Sequence, residues 1–121
     1  GLSPDGGATW SLMRALPRAT ALQLLMGGER MDATRLHALG VITQVSAPGE
    51  ALACALAAAE RLNSRAPNAL ASIKELANDA LTVSLHAQLS AERDHFVRCL
   101  HHANAGEGIA AFLEKRPANY R

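Results

Sequence analysis

An aspartate in a glycine-rich turn is the strongest candidate for chemistry in this sequence. Asp5 follows a proline and precedes Gly6 and Gly7, directly before a predicted helix over 8–16. Glycines let a ligand approach the backbone closely, and a helix N-terminus stabilises negative charge on a carboxylate or a reacting group. Asp5 is therefore a candidate acid, base or nucleophile. The alternative is structural, with Asp5 stabilising the turn or capping the helix.

A second candidate site is cationic. Lys115 and Arg116 follow Glu114 at the C-terminal end of a predicted helix over 105–115. A lysine ammonium binds phosphate as a point charge, so an anion site is one interpretation. The other is that both cations simply complement the negative end of the helix macrodipole.

Three side chains of the types that bind zinc share one predicted helix face. They are His95, Cys99 and His102, at spacings i, i+4 and i+7. At 1.5 Å per residue the first and last lie about 10 Å apart along the helix axis, too far for one ion to reach both. We therefore expect no metal site. We also expect no disulfide between Cys54 and Cys99, since nothing in the sequence indicates a secreted scaffold.

The bulk composition bounds the class of protein. The chain has 121 residues, a formal net charge of +1, 49% hydrophobic residues and 3% aromatic residues. This length suits a single domain, and the balanced charge favours neither a nucleic-acid partner nor an anionic membrane surface. There is no apolar run of membrane-spanning length and no signal-peptide pattern at the start. We expect a cytoplasmic protein with no membrane or nucleic-acid partner.

The apolar spacing predicts an all-α fold, a single helical domain over 1–121. The only strand candidate is the β-branched stretch 41–45. Asp32 is predicted to cap a helix that ends before Gly40, and Asn104 with Glu107 has the spacing of a capping box. The predicted helices span 8–16, 18–26, 33–39, 50–63, 68–80, 84–102 and 105–115.

The order of four motifs carries a family resemblance. The segments are GLSPDGGATWSLMRAL, ALQLLMGGERMDATRLHALGVITQV, ALASIKELAN and EGIAAFLEKRPANY. Together they resemble the enoyl-CoA hydratase/isomerase family, the crotonase superfamily, along essentially the whole chain. The resemblance implies that the chain is the helical C-terminal half of such an enzyme. The N-terminal spiral domain, with the oxyanion hole and the hydratase glutamates, is then expected to be absent, and this chain alone is expected to be inactive.

The resemblance sharpens the role of Asp5. Isomerase-like members carry a similar G-L-x-P-D-x-G-G turn, whose aspartate moves a proton at the acyl chain, and a dehalogenase branch has a nucleophilic aspartate there. In this sequence the turn is one residue shorter between Asp5 and the glycines. The implied chemistry is carboxylate proton transfer beside a thioester, with Gly6 and Gly7 at the substrate. Trp10 and Met13 line the acyl pocket in this interpretation, and pack in the core in the alternative one.

The resemblance also implies a role for the last helix. The segment A-F-L-E-K-R matches a family segment that approaches CoA, so Phe112 is expected near the adenine and Lys115 at a phosphate. CoA enters as part of the substrate, and no separate cofactor is expected. Family assemblies are trimers or pairs of trimers, so self-association is expected as well. Two functions remain open: part of an acyl-CoA hydratase or isomerase, or a non-catalytic helical oligomerisation domain.

Overall fold

The structure, a computed structural model, describes every residue from 1 to 121. It contains seven α-helices and no strand, which confirms the predicted all-α class. The helices are α1 (Ala8–Ala15), α2 (Arg18–Gly27), α3 (Ala33–Ala38), α4 (Ala51–Asn63), α5 (Pro67–Asp79), α6 (Leu85–Leu100) and α7 (Ala103–Glu114).

The chain forms two compact units, Gly1–Cys54 and Ala55–Arg121. In the first unit α1 packs against α2, and Leu16 and Ala21 are buried. Leu16 is extended, at φ −125° and ψ 154°, as expected for a residue that precedes proline. The proline therefore separates two helices that can fold back on each other. A single domain over the whole chain stays a prediction.

Helix α3 begins and ends as the sequence predicts. The Oδ1 atom of Asp32 accepts a hydrogen bond from the backbone N–H of Arg35 at 2.7 Å. Gly40 has φ 75°, and its N–H and that of Val41 bond to carbonyls in the last turn of α3 at 2.9 and 3.0 Å. This is the Schellman arrangement, which satisfies the last carbonyls of a helix.

The strand candidate over 41–45 does not form. The N–H of Val41 is already used in the cap of α3, and the chain offers no second strand with which this stretch could pair. An isolated strand leaves its backbone hydrogen bonds to solvent, so β-branched composition alone is not enough.

In the second unit α6 packs against both α5 and α7. Pro67 is the first residue of α5, where its missing N–H has no helical partner to lose. Ser84 caps α6 by accepting the Ala87 N–H at 3.3 Å. The buried residues of this unit are His95, Asn104 and Ala111.

The predicted capping box at Asn104 and Glu107 is wrong. Helix α7 starts two residues earlier than predicted, and its N-cap is His102, whose Nδ1 accepts the Asn104 N–H at 3.1 Å. The predicted end of the preceding helix at residue 102 shortens accordingly to Leu100. The side chains of Asn104 and Glu107 instead bind the residues that follow α7.

Many large apolar side chains remain exposed on the surface of the chain, among them Leu52 at 71%, Phe96 at 67% and Leu113 at 73%. Exposed apolar area on this scale is typical of surfaces that another protein segment covers. None of the helices combines the length and the apolar character that crossing a bilayer requires.

Candidate functional site

The Asp5 turn leaves the aspartate carboxylate uncommitted. Gly6 and Gly7 have φ 58° and 83°, conformations that favour glycine. Gly7, not Asp5, is the N-cap of α1, and no side chain caps that helix. Asp5 contributes only its backbone carbonyl, which accepts the Ala8 N–H at 3.0 Å. Of the two structural alternatives, helix capping by the Asp5 side chain is not observed, whereas the Asp5 backbone does contribute to the turn.

The surface around this turn is open. Asp5, Gly6 and Gly7 are all exposed. Apart from the glycine itself and its two chain neighbours, no atom lies within 4 Å of the position that a Cβ would take on either glycine. The glycines therefore leave room for another molecule beside the carboxylate and the first turn of α1, whose free N–H groups favour negative charge.

Trp10 lies on the surface of α1 rather than in a core. Its side chain is 61% exposed, and the guanidinium carbon of Arg14 lies 4.0 Å from the ring centroid. This is a cation–π contact between residues one helical turn apart. Met13 is partly exposed as well. Core packing within the chain is thus not the role of Trp10.

Phe112 lies in the second unit, on α7, and is 83% exposed. It borders an apolar groove of about 530 Å³ formed by α5, α6, α7 and Tyr120. A flat, exposed aromatic ring beside an apolar groove can stack on a planar ring of a ligand. The other lining residues are Ala66, Asn68, Ala69, Phe96, Cys99, Leu100, Asn104, Ala105, Gly108, Ile109 and Leu113.

Lys115 ends α7 in a left-handed conformation. It has φ 54° and ψ 40°, and it is the only residue other than glycine with a positive φ. The N–H of Arg116 bonds to the Ala111 carbonyl at 3.0 Å, and the N–H of Lys115 bonds to the Phe112 carbonyl at 3.3 Å. This is again the Schellman arrangement, but with lysine at the position where glycine is usual.

An ion-pair cluster follows Lys115 directly. Arg116 donates two hydrogen bonds to the Glu107 carboxylate, from Nη1 to Oε1 at 2.7 Å and from Nη2 to Oε2 at 3.0 Å. Its Nε donates a third hydrogen bond, to the Glu114 carboxylate. Glu107 also accepts the Asn119 N–H at 2.7 Å. The Arg116 guanidinium and then the Asn119 N–H lower the pKa of Glu107 from 4.5 to about 2. The two carboxylates raise the pKa of Arg116.

The three residues considered for zinc lie in different environments. His95 is buried, with its Nε2 4.0 Å from the Glu75 carboxylate. Cys99 borders the apolar groove and His102 caps α7. The structure contains no group of three or more His, Cys, Asp or Glu side chains arranged to hold a metal ion. Both cysteines are free thiols.

The predicted site residues fall into two groups. Asp5, Gly6, Gly7 and Trp10 belong to the first unit, within residues 5–10, whereas Phe112 and Lys115 belong to the second. Phe112 and Lys115 are three residues apart and are joined by the cap hydrogen bond described above.

The sequence reasoning missed the cluster around Arg116. Glu107 and Arg116 are nine residues apart, a spacing that no helical or strand pairing rule connects. The only signal was the cation pair at 115–116, which fits a macrodipole effect equally well.

The comparisons with known proteins agree with one another. The family model described as enoyl-CoA hydratase/isomerase matches residues 1–121. A probable enoyl-CoA hydratase of Rhizobium meliloti is 35% identical over 121 residues, which is 100% of this chain and 47% of that protein. The 1,2-epoxyphenylacetyl-CoA isomerase of Escherichia coli is 36% identical over 120 residues, covering 99% of this chain and 46% of the isomerase.

Solved structures show the same fold. The crystal structure of an enoyl-CoA hydratase from Polaromonas sp. JS666 matches with a TM-score of 0.96 and 64% identity, over 100% of this chain and 47% of that one. Enoyl-CoA hydratase EchA1 from Mycobacterium marinum matches with a TM-score of 0.92 and 32% identity, over 99% of this chain and 48% of that one. The chain spans about half the length of the relatives it matches.

Proposed function

The chain belongs to the enoyl-CoA hydratase/isomerase family, and we propose that it is the C-terminal part of an enzyme that acts on a CoA thioester. The names of its relatives support this substrate class, because they include both a probable enoyl-CoA hydratase and a CoA-thioester isomerase. Both kinds of reaction move protons and electrons at carbons next to a thioester carbonyl. We therefore propose the chemistry that these reactions share, and no single acyl group.

Asp5 is the proposed proton-transfer group. The observation that carries this role is that its carboxylate is exposed and makes no helix cap, beside two glycines with open space around them. A carboxylate in this position can take a proton from, or return one to, a carbon of the acyl chain. No N–H at the start of α1 is capped by this carboxylate.

The proposed mechanism passes through an enolate. The Asp5 carboxylate removes a proton from the carbon beside the thioester and becomes a neutral acid, and the electron pair of the broken C–H bond moves onto the carbonyl oxygen. Backbone N–H groups of the N-terminal half of such enzymes, which this chain does not span, would stabilise that oxyanion. Reprotonation at another carbon, with Asp5 as the acid, completes an isomerisation. Trp10 would border the acyl chain from α1.

Phe112 and Lys115 are proposed to bind the CoA portion. Phe112 exposes its ring beside the apolar groove, which suits stacking on adenine. The Lys115 ammonium makes no ion pair within the chain, which suits contact with a phosphate. CoA is then the portion of the substrate that these two residues bind, and no separate cofactor is required.

The experiment compares turnover of the full-length protein carrying Asp5→Asn with that of the unchanged protein. Turnover on an enoyl-CoA is expected to fall at least about 100-fold, the range for loss of a general acid–base group, with CoA affinity unchanged. Asp32→Asn is the matched control, because Asp32 is a helix cap in the same unit. Unchanged turnover for Asp5→Asn would contradict the proposal.

A second candidate function is assembly without chemistry. The exposed apolar side chains on α4, α6 and α7 favour self-association, as a trimer or a pair of trimers. Light scattering coupled to size-exclusion chromatography would measure the molar mass of the protein assembly in solution. A trimer or hexamer that fails to bind CoA would favour this function, and a stable monomer would contradict it.

A further inference from the structure

Lys115 has a left-handed backbone conformation, which is unusual for a lysine. A side chain with a Cβ is disfavoured at φ 54°, because the Cβ crowds the following carbonyl oxygen. Such a conformation persists only where the surrounding structure determines it, and it is found most often at functional sites. Gly28 and Gly40 fill the equivalent positions of α2 and α3, so the lysine at the end of α7 is the exception in this chain.

Glu107 supplies the restraint. It lies on α7, and its carboxylate binds the guanidinium of Arg116 through two bonds and the N–H of Asn119 through a third. Arg116 is thereby held to α7 by its side chain as well as by its backbone bond to the Ala111 carbonyl. These bonds hold the residue that follows Lys115 and so favour the left-handed backbone conformation of Lys115.

The same cluster leaves the Lys115 charge unpaired. Both acidic residues near the turn, Glu107 and Glu114, bind Arg116. Without Arg116 these carboxylates would be free to attract the lysine ammonium. Arg116 thus occupies both carboxylates, although the three side chains together keep one net negative charge, and Lys115 remains the exposed cation of this turn without an ion pair of its own.

We infer that Glu107 is a positioning residue for Lys115: by holding Arg116, it fixes the left-handed turn and directs the lysine ammonium to an anion of the ligand. This inference rests on the proposed function, in which that anion is a phosphate of CoA. Glu107 itself does not touch the ligand. Its effect on binding must therefore pass entirely through Lys115.

The sign of the effect distinguishes positioning from simple electrostatics. Glu107→Gln removes a negative charge close to a site for an anion, and Coulombic attraction alone then predicts tighter binding of CoA. Positioning predicts the opposite, a loss of about five- to tenfold in affinity, the range of coupling between interacting residues. Glu114→Gln is the matched control, since it removes a charge adjacent to Lys115 but keeps both bonds between Arg116 and Glu107.

The test is a double-mutant cycle in the full-length protein, with CoA affinity measured by calorimetry at low salt. Lys115→Ala, Glu107→Gln and the double variant are compared with the unchanged protein. We expect Glu107→Gln to weaken binding on its own and to add nothing in the Lys115→Ala background. Tighter or equal binding by Glu107→Gln overturns the inference, and so does an equal loss in both backgrounds.

Arg116→Lys provides a second variant should Glu107→Gln fail to fold. Lysine keeps the charge but lacks the planar fork that spans Glu107 and Glu114, so a smaller loss of affinity is expected, again absent in the Lys115→Ala background. No loss overturns the inference. The proposed function is judged separately, from Lys115→Ala alone: if this variant binds CoA as well as the unchanged protein, the phosphate role of Lys115 fails.

Discussion

The side-chain amide of Asn104 holds Arg121 by both polar groups of its backbone. The Arg121 N–H donates to Asn104 Oδ1 at 3.0 Å, and Asn104 Nδ2 donates to the Arg121 carbonyl at 2.8 Å. Nδ2 also donates to Asn68 Oδ1 at 2.8 Å. One buried amide on α7 therefore joins the start of α5 to the segment that follows α7.

Asn104→Ala is expected to destabilise the chain by about 1–3 kcal/mol. The reason is that Asn104 is buried and its removal leaves polar groups of Asn68 and Arg121 without their partners. Urea unfolding monitored by circular dichroism measures the change. Asn119→Ala is the control, because the exposed Asn119 contributes only its backbone N–H to Glu107, and a loss as large as that of Asn104→Ala would contradict this account.

Two glycines of α7 are expected to respond differently to alanine. At Gly106 a Cβ would meet no atom within 4 Å, whereas at Gly108 it would lie 3.1 Å from the Tyr120 hydroxyl oxygen. Gly106→Ala should stabilise the chain by about 0.5–1 kcal/mol through helix propensity. Gly108→Ala should bring no such stabilisation, because the Tyr120 side chain must move to make room for the added Cβ. Equal stabilisation in thermal unfolding would show that Tyr120 does not pack against α7.

Two aspartates that precede helices are expected to differ in stability effect. Asp32 caps α3 through the Arg35 N–H, whereas the Asp5 side chain caps nothing. Asp32→Ala should therefore cost about 0.5–2 kcal/mol, and Asp5→Ala should change the free energy of unfolding by less than about 0.5 kcal/mol. Chemical denaturation of both variants tests this. A large loss for Asp5→Ala would return Asp5 to a structural role.

The ion pair of the Glu107 carboxylate is expected to make the free energy of unfolding fall at acid pH. Its pKa falls from 4.5 to about 2 on folding, because Arg116 and the Asn119 N–H bind the charged form. The stabilisation is complete above pH 4.5 and is lost as the pH falls from there to about 2. Unfolding of the unchanged chain and of Glu107→Gln should therefore differ at pH 6 and converge near pH 2. A difference that persists at pH 2 would contradict the assignment.

The local rules of helix formation explain how much of the fold the sequence predicts. The side chains of Asp32 and Ser84 cap the starts of two helices, and Gly40 ends α3 in a left-handed conformation. These residue types do the same in isolated helices. All predicted helices form, most with ends within one residue of the prediction. The neighbours of Asp5 make it a candidate acid, base or nucleophile, and this role stays a prediction; the structure shows only that its side chain does not cap α1.

The capping-box error arises because distant residues compete for the two side chains. Asn104 and Glu107 have the spacing of a capping box, but Asn68, Arg121 and Arg116 bind them instead. These partners lie 9 to 36 residues away, so no local pattern reveals them. The left-handed Lys115 is hidden for the same reason, because its conformation depends on the cluster and not on its own residue type.

The central claim, proton transfer by Asp5 beside a thioester, is tested most directly by exchange of substrate protons with solvent. The full-length protein is incubated with an enoyl-CoA in deuterium oxide, and incorporation of deuterium into the acyl chain is followed by mass spectrometry. We predict exchange with the unchanged protein and a loss of at least about 100-fold with Asp5→Asn, while the Asp32→Asn protein exchanges normally. Equal exchange rates in the unchanged and Asp5→Asn proteins would contradict the claim.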